Sequence, residues 1–111
     1  MVSEHVSVLT TLPGQQQAEQ LAAAIIELRL GACAQTFGPL RSTYRWEGKI
    51  ETADEWLLLI KTRRDAYPAL EQAIRSRHPY QTPQIVALPI VAGLDAYLQW
   101  IDTEVPPAAG Q

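Results

Sequence analysis

The fold is decided between Tyr44 and Thr62, where the sequence reads YRWEGKIETADEWLLLIKT. Gly48 lies where the chain must reverse, and the flanking segments are rich in β-branched, aromatic and aliphatic residues, which predicts a long antiparallel hairpin. The apolar run from Trp56 to Ile60 shows no alternation, so this strand has no clearly solvent-facing side. The pattern indicates that both faces of this strand must be covered.

The length and charge of the chain limit its class. Its 111 residues fit one domain. We expect this domain to cover residues 1–105 and residues 106–111, PPAAGQ, to form a disordered tail. The net charge is −3 and the basic residues are scattered along the sequence, which argues against a nucleic-acid partner.

Cys33 is the single cysteine, so the chain has no internal disulfide and no CxxC pair for zinc or redox chemistry. The N-terminus lacks a secretion signal, and no apolar run approaches the length needed to span a membrane. These features predict a soluble cytoplasmic protein with no membrane partner.

Periodicity predicts four strands and three helices. The strands are expected at residues 5–11, 33–44, 55–63 and 85–91. The helices are marked by apolar residues at helical spacing, namely Leu21, Ile25 and Leu28, then Tyr67, Leu70 and Ile74, then Leu94, Leu98 and Ile101. Gly31 and Pro79 are expected to end the first two helices. Pro39 predicts a bend in the second strand, and Pro89 predicts a bulge or an edge position for the last.

The order β-α-β-β-α-β is the split βαβ, or ferredoxin-like, arrangement of the α+β class, here with an added C-terminal helix. In that arrangement the helices cover only one face of the sheet. Strands two, three and four are apolar on both faces, so an uncovered face would be prone to aggregation. The sequence therefore predicts self-association, with identical subunits in a closed ring.

Several separated motifs resemble the CutA family, which is named for divalent-cation tolerance. They extend from about Val6 to Trp100 and are Ala32-Cys33-Ala34-Gln35, Tyr44-Arg45-Trp46-Glu47-Gly48-Lys49-Ile50, Ile60-Lys61-Thr62, His78-Pro79-Tyr80-Gln81-Thr82-Pro83, Ala87-Leu88-Pro89 and Tyr97-Leu98-Gln99-Trp100. The resemblance implies a ferredoxin-like subunit in a tight homotrimer, similar in architecture to the trimeric nitrogen-signalling proteins. It also implies a cytoplasmic location and a role in tolerance to copper and other divalent metals.

His78 and Cys33 are the candidate metal ligands. A neutral imidazole at His78 suits copper or zinc, and a thiolate at Cys33 suits copper(I). Each has a structural alternative. His78 would donate to carbonyls of the last helical turn and pack against Tyr80, and Cys33 would be a small buried hydrophobe. No organic cofactor is expected.

The resemblance also implies a copper site made of a cysteine near the end of the first strand and two consecutive histidines before Pro-Tyr. Here the cysteine position holds Thr10 and the first histidine position holds Arg77, so only His78 remains. A single imidazole rarely holds a transition metal tightly. A metal at His78 would need a further ligand from another subunit, from His5 or from a carboxylate.

Lys61, Tyr80 and Glu51 are the candidate residues of a ligand cleft between subunits, where convergent polar groups would hold a small anion. The alternative is ordinary ion pairing on a solvated strand. We assign the three tryptophans, Trp46, Trp56 and Trp100, to packing and trimer contacts.

No catalytic motif is present: the sequence has no nucleophile elbow, no HExxH and no phosphate-binding glycine loop, so we do not expect an enzyme. The sequence predicts a homotrimer that binds copper or other divalent ions and contributes to metal tolerance. The alternative function is a regulatory or scaffold trimer that binds a small anion or a partner protein at the cleft between subunits.

Overall fold

The structure is a computed structural model that describes residues 3–107. Its strands and α-helices are β1 (His5–Leu12), α1 (Gln15–Glu27), β2 (Cys33–Trp46), β3 (Lys49–Arg63), α2 (Tyr67–Arg77), β4 (Val86–Pro89) and α3 (Asp95–Glu104). A single 3₁₀ turn, Arg64–Ala66, precedes α2. The predicted α+β fold of four strands and three helices is confirmed. Of the predicted tail, Pro106 and Pro107 are in neither helix nor strand, and residues 108–111 lie outside the described residues.

The four strands form one antiparallel sheet in the order β2-β3-β1-β4. The register places Val8 of β1 opposite Ile60 of β3 on one side and Ala87 of β4 on the other. β4 is an edge strand, so the missing N–H of Pro89 removes no bond from the interior of the sheet. The edge position predicted from Pro89 is confirmed.

The hairpin between β2 and β3 reverses at Glu47 and Gly48, whose φ angles are 51° and 79°. Positive φ at both central residues is typical of a type I′ turn, which matches the twist of the flanking strands. β1 ends at Leu12, opposite Trp56, whereas β2 and β3 stay paired as far as Trp46 and Lys49. Residues 40–55 therefore form a hairpin arm that extends beyond β1. Its register shifts between Phe37 and Leu40, where a bend at Pro39 was predicted.

The hydrophobic core lies between one face of the sheet and helices α1 and α2. The strands contribute Val6, Val8, Leu12, Leu58 and Ile60, and the helices contribute Ala18, Leu21, Ile25, Leu70, Ala73 and Ile74. Most of these side chains are fully enclosed, as the 3.6-residue period of the two helices predicts.

Several predicted boundaries are wrong. α1 ends at Glu27, before Gly31, which we expected to end it; Arg29, with φ 59°, takes the left-handed conformation that commonly follows a helix. β3 begins at Lys49 and β2 runs to Trp46, because the pairing of the two strands continues up to the turn at Glu47 and Gly48. β4 has 4 residues, Val86–Pro89, so it lacks residues 85, 90 and 91 of the predicted strand; Ile85 packs against the core. Leu94 precedes α3 and is exposed, so it does not belong to that helix's buried side.

The second face of the sheet carries apolar residues that no helix fully covers. The register puts them on one side, and we call them the open face: Leu9, Phe37, Leu57, Leu59, Val86 and Leu88. Phe37 is 50% exposed and Leu88 51% exposed. An apolar surface of this kind is typical of an association site. The predicted self-association stays a prediction, because the structure contains one chain.

Thr10 supplies a test of the core. It is fully buried, and its Oγ1 has no hydrogen-bond partner within the described residues. Because an unpaired buried hydroxyl is costly, Thr10→Val should raise the free energy of unfolding by about 1 to 2 kcal/mol. Urea unfolding measures the change.

Thr62→Val is the matched control. Thr62 is equally buried, but its Oγ1 donates to the Leu30 carbonyl at 2.7 Å. Losing that bond should lower the free energy of unfolding by about 1 kcal/mol. Equal destabilisation by both substitutions would show that the Thr10 hydroxyl is paired in solution.

Candidate functional site

His78 joins the end of α2 to the end of β1. Pro79 disfavours helical geometry at His78, which adopts φ −84° and ψ 138° and ends the helix as predicted. Its Nε2 lies 2.8 Å from the Thr11 carbonyl oxygen, and its Nδ1 accepts the N–H of Tyr80 at 3.2 Å. This network assigns the neutral tautomer with the proton on Nε2. Both ring nitrogens are therefore engaged within the chain.

The environment of the His78 ring favours its neutral form. Burial lowers its pKa below 6.5, while the hydrogen bond to Thr11 and the charge of Glu55 oppose the shift. The ring packs against Tyr80, with centroids 4.9 Å apart, and donates to β1 instead of to the last turn of α2. A metal could reach the Nδ1 lone pair only by displacing the Tyr80 N–H.

Tyr80 and Glu55 form the second part of the site. The Tyr80 hydroxyl donates to Oε2 of Glu55 at 2.9 Å, and Glu55 is only 7% exposed. Burial, followed by the hydrogen bond to Glu55, raises the pKa of Tyr80 to about 12, so its hydroxyl stays protonated at neutral pH. Sequence reasoning missed Glu55; the available signal was a carboxylate directly before the apolar run that starts at Trp56.

A groove of about 740 Å³ opens beside this pair, between the hairpin arm and the segment after α2. Tyr44 and Trp46 line it from the arm, Glu55 from β3, and Tyr80 from the segment 79–84. We call it the aromatic groove. The remaining lining residues are Thr11, Ser42, Thr43, Pro79, Gln81, Thr82 and Gln84, so no Lys, Arg or His side chain lines it within the described chain.

Within one chain, the predicted cleft residues lie apart. Lys61 lies opposite Ser7 and Cys33, six residues along β3 from Glu55, which is about 20 Å at the rise of a strand. Its ammonium donates to Oε1 of Gln35. Glu51 is exposed on the hairpin arm, opposite Tyr44. A cleft that contains both Lys61 and Tyr80 would need a second copy of the chain.

The two predicted metal ligands also lie apart. Cys33 begins β2, half-buried, whereas His78 contacts the far end of β1. Burial raises the pKa of Tyr97, and the neighbouring thiol of Cys33 raises it further. Across residues 3–107, no three His, Cys, Asp or Glu side chains are grouped as a metal site.

Positions 10 and 77, which the resemblance associates with copper, offer no ligand here. Thr10 is enclosed in the core. Arg77 is exposed, and its guanidinium donates to the Ala73 carbonyl at 3.1 Å.

His5 is engaged in an ion network that fixes α3 to the sheet. Its Nε2 lies 2.8 Å from Oδ1 of Asp102, and Arg63 reaches the same oxygen at 3.3 Å. Arg63 also binds Asp65 through two bonds of 2.9 and 2.8 Å. That contact lowers the pKa of Asp65 and raises the pKa of Arg63. Sequence reasoning missed Asp102, which is distant from His5 along the chain.

The three tryptophans differ in their surroundings. Trp56 is half-buried and packs against the core. Trp46 on the hairpin arm and Trp100 on α3 are 50% and 40% exposed, and Trp100 lies 5.6 Å from the Tyr97 ring. Their assignment to trimer contacts stays a prediction.

The lowered pKa of His78 predicts a pH dependence of stability. Between that pKa and the ordinary value of 6.5, the unfolded chain binds more protons than the folded chain. Stability should therefore be full above pH 6.5 and fall as the pH drops below it. Urea unfolding at about pH 7.5 and about pH 5.5 should show the loss, and His78→Gln should reduce it. His5→Gln is the control, and an unchanged pH profile in His78→Gln would contradict the prediction.

The chain is similar to known proteins over most of its length. The family described as the CutA1 divalent ion tolerance protein matches residues 6–104. The chain is 44% identical over 94 residues to the divalent-cation tolerance protein CutA of Thermus thermophilus, covering 85% of this chain and 91% of that protein. It is 42% identical over 91 residues to human Protein CutA, covering 82% of this chain but only 51% of the human protein. The chain thus spans about half the length of that relative.

Solved structures show the same arrangement. The structure of the Thermus thermophilus protein has a TM-score of 0.90 at 40% identity, covering 92% of this chain and 99% of that one. A structure described as the periplasmic divalent cation tolerance protein CutA of Archaeoglobus fulgidus has a TM-score of 0.89 at 38% identity, covering 92% and 99%. The molecule is therefore an α+β protein of the class that these structures define. The chain belongs to the CutA1 divalent ion tolerance family. No helix of the described chain is long and apolar enough to cross a membrane.

Proposed function

We propose that the chain forms a cytoplasmic homotrimer of ferredoxin-like subunits, each a single domain of residues 1–105, that binds copper or other divalent cations and contributes to metal tolerance. Family membership supports the tolerance role, since the relatives are named for it. The proposed role is binding, not catalysis.

The open face carries the proposal of assembly. Phe37, Val86 and Leu88 are each 42% or more exposed in one chain, and they lie beside Leu57 and Leu59 on the same side of the sheet. Burying such a patch between copies removes apolar area from water at roughly 25 cal/mol per Å². In a closed ring of identical subunits, every copy makes the same contacts with its neighbours, so each open face is buried equally.

Assembly would also address the shortage of metal ligands. His78 and Cys33 lie at opposite ends of the sheet, and the described residues of one chain group no three ligands. A head-to-tail contact would bring the Cys33 end of one copy towards the His78 end of the next. A histidine and a thiolate together suit copper or zinc far better than either does alone.

A chelator-competition titration of the purified protein with copper and zinc tests this function. We expect micromolar or tighter binding, lost in His78→Ala and weakened in Cys33→Ser. His5→Ala should retain the affinity, because His5 is bound to Asp102. Weak binding that none of the three substitutions changes would contradict a metal site at His78.

The position of Lys61 favours a second candidate function, a regulatory or scaffold trimer with a small-anion or partner-protein site between subunits. Lys61 is half-buried beside the open face and forms no ion pair with a carboxylate of the described chain. In a trimer it would line a cleft together with Tyr80 and Glu51 of another copy. A thermal-shift screen with phosphate and nucleotides, compared with Lys61→Ala, tests it, and no shift with any anion would count against it.

A further inference from the structure

Glu55 and Lys61 are opposite charges on β3, and neither forms an ion pair within residues 3–107. Glu55 is 7% exposed and accepts the Tyr80 hydroxyl, whereas Lys61 is half-buried and donates to Gln35. A charge that is withdrawn from water without a counter-charge is unfavourable. Each of the two groups therefore lacks the charge that the other carries.

The two charges lie on either side of the apolar part of the open face. Side chains of a strand alternate between its two sides, so Glu55 and Lys61 project on the same side as Leu57 and Leu59. The acid and the base are six residues apart, about 20 Å at the rise of a strand, so they cannot pair within one chain. Along β3 the open face thus runs from an acid, across apolar residues, to a base.

This order makes the open face complementary to a copy of itself in one direction only. A contact that joins like ends of two copies places acid against acid or base against base, which is strongly unfavourable. A contact that joins unlike ends places Lys61 of one copy against Glu55 of the next. In a closed ring each copy then pairs its base with one neighbour and its acid with the other, so no charge is left unpaired.

The aromatic groove has a lining that suits a lysine side chain. Glu55 lines it together with Tyr44 and Trp46, and no Lys, Arg or His of the described chain does so. Aromatic faces attract an ammonium group, and the carbon stem of a lysine packs on apolar surface while its head reaches a polar partner. A lysine from another copy would therefore find both an acid and an apolar wall there.

We propose that Lys61 of one copy enters the aromatic groove of the next copy and pairs with Glu55, and that this pair sets the direction in which the copies join. The proposal rests on the homotrimer proposed above and adds the contact that orients it. Cys33 lies opposite Lys61, so the same direction brings it towards the His78 end of the next copy.

Cross-linking of the assembled protein tests the direction of the contact. Glu55→Cys and Lys61→Cys are introduced together with Cys33→Ser, which removes the single native thiol. A short bismaleimide cannot span the about 20 Å between the two positions of one chain, so it joins them only between copies. We expect exhaustive reaction to give products of up to three chain masses on a denaturing gel. Glu55→Cys alone and Lys61→Cys alone, each with Cys33→Ser, are the controls and should give little product.

A double-mutant cycle tests the pairing of the charges. Glu55→Gln keeps an acceptor for the Tyr80 hydroxyl, and Lys61→Met keeps the length of the side chain. Each single substitution leaves one charge unpaired, so each should raise the dissociation constant of the assembly at least about tenfold, and the double variant should raise it no further. Sedimentation over a dilution series in fixed urea measures the constant. Glu19→Gln, at an exposed acid on α1, is the matched control and should not change it.

The outcomes separate this pairing from the homotrimer on which it rests. One chain mass for the unmodified protein would overturn both. An assembled protein whose two-cysteine variant gives no cross-link, only two-chain products, or no more product than the single-cysteine controls would overturn the pairing alone. Additive losses in the double-mutant cycle would also overturn it. Circular dichroism reports folding, and cross-linking decides the matter where a charge variant is unfolded.

Discussion

Phe37→Asp is expected to dissociate the assembly into single folded subunits. Phe37 is 50% exposed in one chain and lies opposite Leu57 on the open face. Its replacement therefore costs the isolated subunit little, whereas a carboxylate placed in an apolar contact between copies is strongly unfavourable. Sedimentation velocity at micromolar concentration measures the assembly, and circular dichroism reports whether the subunit stays folded.

Ile26→Asp is the matched control for this change. Ile26 is 40% exposed, but it lies on α1, which packs on the other face of the sheet. The same chemical change there should leave the assembly intact. A Phe37→Asp protein that still sediments as a trimer would show that the open face is not the contact.

Gly31→Ala is expected to cost about 2 to 3 kcal/mol of unfolding free energy. A Cβ at this position would lie 2.6 Å from Cγ2 of Ile60 and 3.0 Å from Cγ2 of Ile25. Both neighbours are fully buried, and a β-branched Cγ2 next to the backbone cannot swing aside. The strain should appear as a lower urea midpoint with an unchanged slope.

Gly14→Ala tests whether the effect comes from packing. There the added Cβ would meet only the end of the exposed Gln17 side chain, which can move away. The expected loss is less than about 1 kcal/mol, mostly from the poorer N-cap. Similar losses at both glycines would contradict close packing as the role of Gly31.

The elements that the sequence predicts well are those with strong local signals. Gly48 predicts the reversal that a positive φ requires, Pro89 predicts an edge strand, and Leu70 and Ile74 predict the buried side of α2. In each case the residue type and the local geometry point in the same direction.

The end of α1 is an example of a local signal that misleads. A glycine after a helix normally marks the left-handed cap, yet Arg29 takes that conformation and Gly31 allows β3 to approach closely. Only the tertiary contact with Ile60 distinguishes the two roles, and no periodicity within the sequence records it.

The candidate site is less predictable because its contacts join distant segments. Glu55 and Tyr80 are 25 residues apart and meet only because the segment after α2 lies beside the hairpin arm. Lys61 and Tyr80, which we predict to line a cleft between subunits, lie at opposite ends of the sheet within one chain, so that cleft stays a prediction. The register of β3 determines where Glu55 and Lys61 lie relative to Tyr80. That register follows from the pairing of β3 with β1 and cannot be derived from composition.

Sedimentation equilibrium of the unmodified protein is the most direct test of the proposed homotrimer, on which the inter-subunit metal site depends. The uncovered apolar face predicts association, and the resemblance to the CutA family implies that the assembly has three chain masses, unchanged on dilution to low micromolar concentration. One chain mass at these concentrations would contradict both the trimer and any site assembled between its copies.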